Sequence, residues 1–359
     1  MDFGLSEEQE LLQATVQGFV ERECPPARVR ELFDAGSGHD PGLWKGLAEL
    51  GVAGLCVPEA FGGAGLEVLE LALVAEVLGA GCVPGPFLGH SLACLALALG
   101  GSGAQRERWL PVLAAGDALG SVAFAEDGER WDPEEWRLAP RRGQLDGSKL
   151  YVPGADCADL LVVGTRDGGL VLVEKGAPGL RCEPLNGVDR GRALSRLELA
   201  STPCEPLSPD AGLAARVRDA GLVLLAADAF GAAWRLVQLT VDYTRVREQF
   251  GTPLAQFQAE KHQLANMATA TETGRGLFWY AAHAQDHLPD EAPRIAAIAK
   301  AHIADRALET GRAAVELHGG LGFTWECDVQ IWLKRIMFDR AFLGTPERQR
   351  ERSAALGGF

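Results

Sequence analysis

Apolar residues recur at helical spacing from the start of the chain. After Ser6 and Gln9, which form a capping-box pattern, Leu11, Leu12, Val16, Phe19 and Val20 mark one face of a helix. A second helix is expected over about 41–50, stopped by Gly51. The clustered glycines and proline of GVAGLCVPEAFGGAGL then read as a loop. Apolar helical stretches follow at about 66–80 and 87–99, and then QRERWLPVLAAG. From about 118 to 206 the texture changes. SVAFA, LYVPG, DLLVVGT, GLVLVEK and LSRLELA are short apolar runs punctuated by Gly, Asp and Pro, which are strand and turn signals. Pro206 and Pro209 mark a boundary, and helical patterns resume over about 210–248, 256–287, 292–318, 326–342 and 346–356. The pattern therefore predicts an α+β chain in three parts: an N-terminal helical domain (1–117), a middle β domain (118–206) and a C-terminal helical domain (207–359).

Composition narrows the classes of partner. A formal net charge of -15 argues against nucleic acid and against anionic membrane surfaces, so an anionic ligand would need a locally basic pocket. The eight cysteines are scattered, with no CxxC and no zinc-ligand spacing. Several sit in apolar runs, and they read as small buried hydrophobes kept reduced, which suits a cytoplasmic setting. MDFGLSEEQELL lacks the basic and apolar regions of a signal peptide. No uninterrupted apolar run reaches about 20 residues, so no membrane span is expected.

Three segments carry a resemblance. VPEAFGGAGL (57–66), YTRVREQFGTPLAQFQAEKHQLANM (243–267) and HGGLGFTWE (318–326) resemble, in order and spacing, the N-terminal signature, the C-terminal signature and the glycine turn of the acyl-CoA dehydrogenases. The likeness implies that family's fold, with a barrel-like middle domain and a four-helix-bundle C-terminal domain. It also implies its chemistry: a glutamate removes a proton from C2 of an acyl-CoA thioester, and a hydride passes from C3 to FAD. In such tetramers the β domain of one subunit holds the flavin ring, while the C-terminal domain of a neighbour grips the ADP end. The resemblance assigns that grip here to Arg247, Phe250, Gly319, Gly320 and Gly322. An Arg fork suits a pyrophosphate, and glycines let backbone approach it closely.

The departures from the family are as informative. One family position for the glutamate falls on Leu343, in AFLGTPE; the alternative, counted back from Gly251, falls on Gly221, followed by Leu222. None of these can take a proton. Asp219, Asp228, Glu326 and Glu347 lie nearby and read as solvated or capping acids. The two stretches that cover the flavin ring in the family read FAEDGERWD (124–132) and KLYVPG (149–154), so the hydroxyls are gone and Tyr151 and Pro153 stand in for a Trp and a Thr. Glu316 replaces the usual Gln ahead of the glycine turn. The pattern resembles the non-catalytic subunit of a heteromeric α2β2 enzyme of the kind acting on steroid side-chain CoA thioesters. In that arrangement a catalytic partner brings the glutamate and the ring pocket. Two other readings stay open: a self-sufficient homomeric dehydrogenase with a displaced base, and a flavin-free scaffold.

Overall fold

The structure, a computed structural model, describes residues 4–208, 210 and 212–358. Pro209, used above to mark a boundary, lies outside them. The helical beginning consists of α1 (Glu7–Glu23), α2 (Pro26–Ala35), α3 (Pro41–Glu49), α4 (Val68–Ala80), α5 (Phe87–Gly100) and α6 (Gly103–Ala114). The capping box at α1 is present: the Gln9 amide donates to Ser6 Oγ (3.2 Å) and the Ser6 amide to Gln9 Oε1 (2.9 Å). Gly51 follows α3 in the left-handed region, with φ 83°, as a helix stop requires.

The strands are β1 (Gly120–Ala123), β2 (Gln144–Pro153), β3 (Leu160–Thr165), β4 (Gly169–Glu174), β5 (Leu180–Leu185), β6 (Leu194–Pro203) and β7 (Glu205–Pro206). They form two sheets, ordered β1-β3-β4-β7 and β2-β6-β5. Only the β1–β3 pairing among them is parallel. Strand β3 explains its own unbroken apolar run. Leu161 and Val163 point into the core between the sheets, with Leu145, Val152, Val171 and Leu197. Leu160 and Val162 point into the main core shared with the helices. A strand covered on both faces needs apolar residues at every position.

The remainder is α7 (Leu213–Val246), the two-stranded hairpin β8 (Glu248–Gln249) and β9 (Thr252–Pro253), α8 (Gln258–His287), α9 (Ala292–Leu317), α10 (Val329–Ala341) and α11 (Pro346–Leu356). Helix α7 is the axis of this half. It is long and apolar enough to cross a bilayer, yet 89% of its most apolar window is buried inside the fold, so its apolarity serves the core. It crosses α4 with the backbones in contact. A Cβ on Gly79 would lie 2.1 Å from the Asp228 carbonyl oxygen, and one on Gly231 would lie 1.9 Å from that of Glu76. Only glycine permits that approach.

Helix α2 and strand β5 are among the elements absent from the expected pattern. Helix α2 begins at Pro26, the first helical position, where its missing N–H is harmless. Strand β5, LRCEPL, is an edge strand whose central residues face solvent, so it carries no apolar signal. Its exposure also corrects the cysteine expectation. Cys24, Cys82, Cys94 and Cys327 are buried and Cys56, Cys157 and Cys204 partly so, but Cys182 is exposed on β5.

Candidate functional site

The two positions that the resemblance reserves for a base meet in space. A Cβ added to Gly221 would lie 2.7 Å from Leu343 Cδ1 and 3.1 Å from Leu92 Cδ1. Leu343 and Leu222 are fully buried. The slot therefore holds closely packed hydrocarbon from α5, α7 and the turn after α10. That turn is fastened from two sides. The buried Lys300 ammonium donates to the Asp339 and Phe342 carbonyls, the latter at 3.0 Å, and Gln349 Nε2 donates to the Leu343 carbonyl at 3.0 Å. Burial pulls the Lys300 pKa down to about 7, with Asp339 opposing the shift.

Three of the four nearby acids are committed elsewhere. Asp219 is 2% exposed and paired with Arg218 (3.0 Å) and Arg352 (2.9 Å). Asp228 is 3% exposed and paired with Arg192 (2.5 Å) and Arg335 (2.8 Å). The expectation of solvated or capping acids is thus wrong for both, because buried arginines hold them inside. Burial alone would raise the Asp228 carboxyl, but Arg192 and Arg335 hold it below the ordinary carboxylate range. Glu347 pairs with Arg340 (2.6 Å), and its own backbone N–H and Thr345 hold its carboxyl low. Glu326 is exposed. A general base works best with a pKa near the operating pH; Asp228 and Glu347 are shifted away from it.

The two stretches assigned to the ring lie against each other and are joined by a buried ion pair. Lys149 Nζ, fully buried, donates to Glu126 Oε1 at 2.8 Å, and Glu126 also accepts the Arg137 and Leu138 backbone N–H groups (2.7 and 3.0 Å). Burial lowers the Lys149 ammonium to about 8 against the pull of Glu126. Asp132 takes Arg218 of α7 (2.8 Å) and Arg348 of α11 (2.6 Å), anchoring the stretch to the C-terminal helices. Beside that anchor, the Trp131 indole stacks on Tyr151 with centroids 5.9 Å apart and planes at 21°, and meets Phe342 edge-on at 5.0 Å. Tyr151 stands where the resemblance has a flavin-covering Trp. Trp131 thus covers Tyr151 with one of this chain's own rings. The ring end does not fit a flavin well: the side chains that would meet it are aromatic or tied into ion pairs, and Trp131 takes one face of Tyr151. Pro153 contributes only its carbonyl, which accepts the Ser121 hydroxyl. Sequence reasoning missed Trp131; its one signal was a bulky aromatic inside a stretch that the family fills with small hydroxylated residues.

The residues assigned to the ADP end are brought together and left open. Arg247 ends α7, is exposed, and its guanidinium has no ion-pair partner among the described residues. Its carbonyl accepts the Leu254 N–H at 2.8 Å, closing the β8–β9 hairpin. Phe250 sits at that hairpin's tip, 96% exposed, with φ 53°. An aromatic held in the left-handed region is a costly arrangement, and its one ring contact among the described residues is an edge-on meeting with Phe257 at 6.3 Å. Gly319 (φ 61°) and Gly320 have nothing within 4 Å of an added Cβ, so backbone is open to an incoming group there. Gly322 differs: it is buried, and an added Cβ would strike the Val315 carbonyl at 2.2 Å, so its role is packing. The hairpin and the glycine turn are coupled by Tyr243, which stacks on His318 at 4.2 Å and donates its hydroxyl to the His318 carbonyl at 3.4 Å. Glu316 is exposed. This end fits the ADP part of FAD: a free guanidinium, an exposed ring and open glycine backbone lie at one end of the helical bundle.

A helical, sheet, helical chain with these segments is an acyl-CoA dehydrogenase in architecture. Family models match residues 6–117 (acyl-CoA dehydrogenase, N-terminal domain) and 219–356 (acyl-CoA dehydrogenase, C-terminal domain). The chain is 36% identical over 343 residues to the acyl-CoA dehydrogenase IpdE2 of Mycobacterium tuberculosis, covering 95% of this chain and 94% of that protein. Among solved structures it is similar to the Tcur3481-Tcur3483 steroid ACAD, with a TM-score of 0.91 and 30% identity over 98% of each chain. It is also similar to butyryl-CoA dehydrogenase from Megasphaera elsdenii, with a TM-score of 0.90 and 25% identity over the full length of both. The chain belongs to the acyl-CoA dehydrogenase family.

Proposed function

We propose that this chain is a subunit of an FAD-dependent acyl-CoA dehydrogenase that supplies the ADP clamp for a flavin whose ring pocket and catalytic glutamate belong to a partner subunit. One observation carries the reading. Leu343 and Trp131 close the base slot and the stacking position with this chain's own side chains, whereas Arg247, Phe250, Gly319 and Gly320 stay exposed. Leu321, Phe323 and Val246 are also exposed at that end (41%, 75% and 78%), which supports an apolar contact with the partner there. The likeness to a steroid ACAD supports a steroid-derived acyl-CoA as the substrate and a heteromer, on the α2β2 plan, as the assembly. FAD, when bound, supplies acceptance of the hydride. This chain's part is to hold the pyrophosphate with Arg247 and to keep water out of its own closed slot.

The test is the visible spectrum of the chain alone and of the chain co-expressed with its genomic neighbours. The flavin band is expected only in the co-purified complex. A full band from the chain alone, bleached by an acyl-CoA, would overturn the reading. Within the complex, Arg247→Ala is expected to lower FAD affinity by one to two decades, as loss of charge-assisted hydrogen bonds of about 1.5–3 kcal/mol implies. Unchanged flavin content after dialysis would remove Arg247 from the clamp.

A further inference from the structure

Helices α1 and α7 both pack against α4, and a groove of about 850 Å³ opens between them. Each wall is one helical stripe with the same spacing: Gln13, Gln17, Val20 and Cys24 on α1, and Trp234, Gln238, Val241 and Arg245 on α7. Steps of four, three and four residues keep side chains on one face of a helix, and each stripe is about 17 Å long. The floor is apolar: Val20, Val77, Val237 and Trp332 are each less than a tenth exposed. One wall is preorganised. The half-buried Trp234 indole lies parallel to Phe230, with planes at 7°. The Arg275 guanidinium sits over both rings while it pairs with Glu76 at 2.9 Å and Glu272 at 2.8 Å. A fixed, partly exposed Trp is the kind of anchor that dominates protein interfaces.

The two walls carry opposite, poorly matched charge. On α7, the Arg235 guanidinium reaches only the Gln238 side-chain oxygen among the described residues, at 3.5 Å, and that of Arg245 reaches only Asp242, at 3.8 Å. On α1, Glu21 accepts the Gln17 amide at 2.8 Å and has no cationic partner among the described residues. Glu76 is already neutralised by Arg275. The groove is also continuous with the end assigned above to the partner, since α7 runs on from Arg245 into Val246 and Arg247. An apolar floor between a cationic and an anionic wall suits an amphipathic helix with acids along one flank and bases along the other.

We propose that this groove receives an amphipathic helix of about 12 residues from the partner subunit, its acids toward α7 and its bases toward α1. The proposal rests on the partner-subunit reading above. Photo-crosslinking of the co-purified complex tests the occupant. With p-benzoylphenylalanine in place of Gln238, which is exposed in the groove, irradiation is expected to join this chain to one segment of the partner. Crosslinks only to a second copy of this chain, or to no protein, would overturn the proposal. The charge pattern is tested by dilution of the complex, followed by mass photometry. Arg235→Glu combined with Arg245→Glu is expected to weaken the complex at least about tenfold, with the melting temperature of the chain alone unchanged. Should that double variant melt lower, Glu21→Lys on the exposed α1 wall carries the same test, with an expected loss of about threefold or more. A complex indifferent to these charge reversals would overturn the proposal. The two readings fail differently. A shared flavin that is lost with Arg247→Ala, without any crosslink from the groove, would overturn only the docked helix. A chain that binds FAD alone and co-purifies with no neighbour would overturn both.

Discussion

Arg335→Met is expected to destabilise the chain by about 3–5 kcal/mol, the cost of breaking a buried ion pair by removing one partner. Arg335 is 2% exposed and satisfies three elements at once. Its Nε and Nη2 donate to the two oxygens of Asp228 (2.8 and 3.1 Å), Nη1 to Asp189 at 3.4 Å, and Nη2 also to the Val83 carbonyl at 3.2 Å. Methionine matches the stem but leaves one oxygen of Asp189, whose other accepts the Gly191 N–H, and half of the demand of Asp228 buried and unmet. Urea denaturation at neutral pH checks the magnitude, and a loss below about 1 kcal/mol would mean that the cluster relaxes around the change. The pH dependence has a defined sign. Asp228 is held below the ordinary carboxylate range, so its contribution is present above the unfolded carboxylate pKa of about 3.9 and is lost as pH falls through the folded value. Asp339, which faces Asp228 and is fully buried, is raised well above the ordinary range by burial and by the Asp228 charge, and it runs the other way. In the Arg335→Met variant the Asp228 carboxyl moves upward, so the deficit is expected to be largest at neutral pH and to shrink toward pH 4.

Leu343→Glu, the substitution that restores a family base by sequence, is expected to cost about 3 kcal/mol and to yield no dehydrogenase activity in the chain alone. The side chains packed at Gly221 in the slot, Leu343 and Leu92, offer no hydrogen-bond donor. Burial there would raise the new carboxyl above its unfolded value. The folded state then binds the proton more tightly, so the penalty grows as pH rises from about 4.3 and levels off above the folded pKa. Melting temperature followed from pH 4 to 8 measures this directly, and a flat difference from the parent would mean the carboxylate has found solvent. Turnover by the Leu343→Glu chain on its own would require a working ring pocket, contrary to the stacking of Trp131 on Tyr151.

Much of this was legible in sequence because it is periodic or local. The long helices show as apolar stripes, β3 as an unbroken apolar run, and the residues proposed as the clamp as a fixed spacing of Arg, Phe and Gly. What could not be read depends on side chains that meet from distant parts of the chain. Asp228 looked like a surface acid because no local pattern announces that Arg192 and Arg335 will converge on it from the β5–β6 connection and α10. Leu343 was visible as a substitution, but its packing against Gly221 and Leu92 arises only when the turn after α10 folds over α5 and α7. Gly322 matched the glycine-turn pattern, yet its close approach to the Val315 carbonyl is a helix-end packing contact that spacing does not separate from ligand approach.

Asp228 also bears on how the molecule comes apart. Its carbonyl lies against Gly79 of α4, while its carboxylate holds Arg192 of the β5–β6 connection and Arg335 of α10. One residue thus belongs at once to the contacts of all three parts of the chain. Proteins of this size commonly unfold in stages, one domain at a time. Here the N-terminal part cannot leave without opening the glycine crossing, nor the middle part without unpairing Arg192 from Asp228, so one thermal transition is expected, with the calorimetric and van't Hoff enthalpies close to each other.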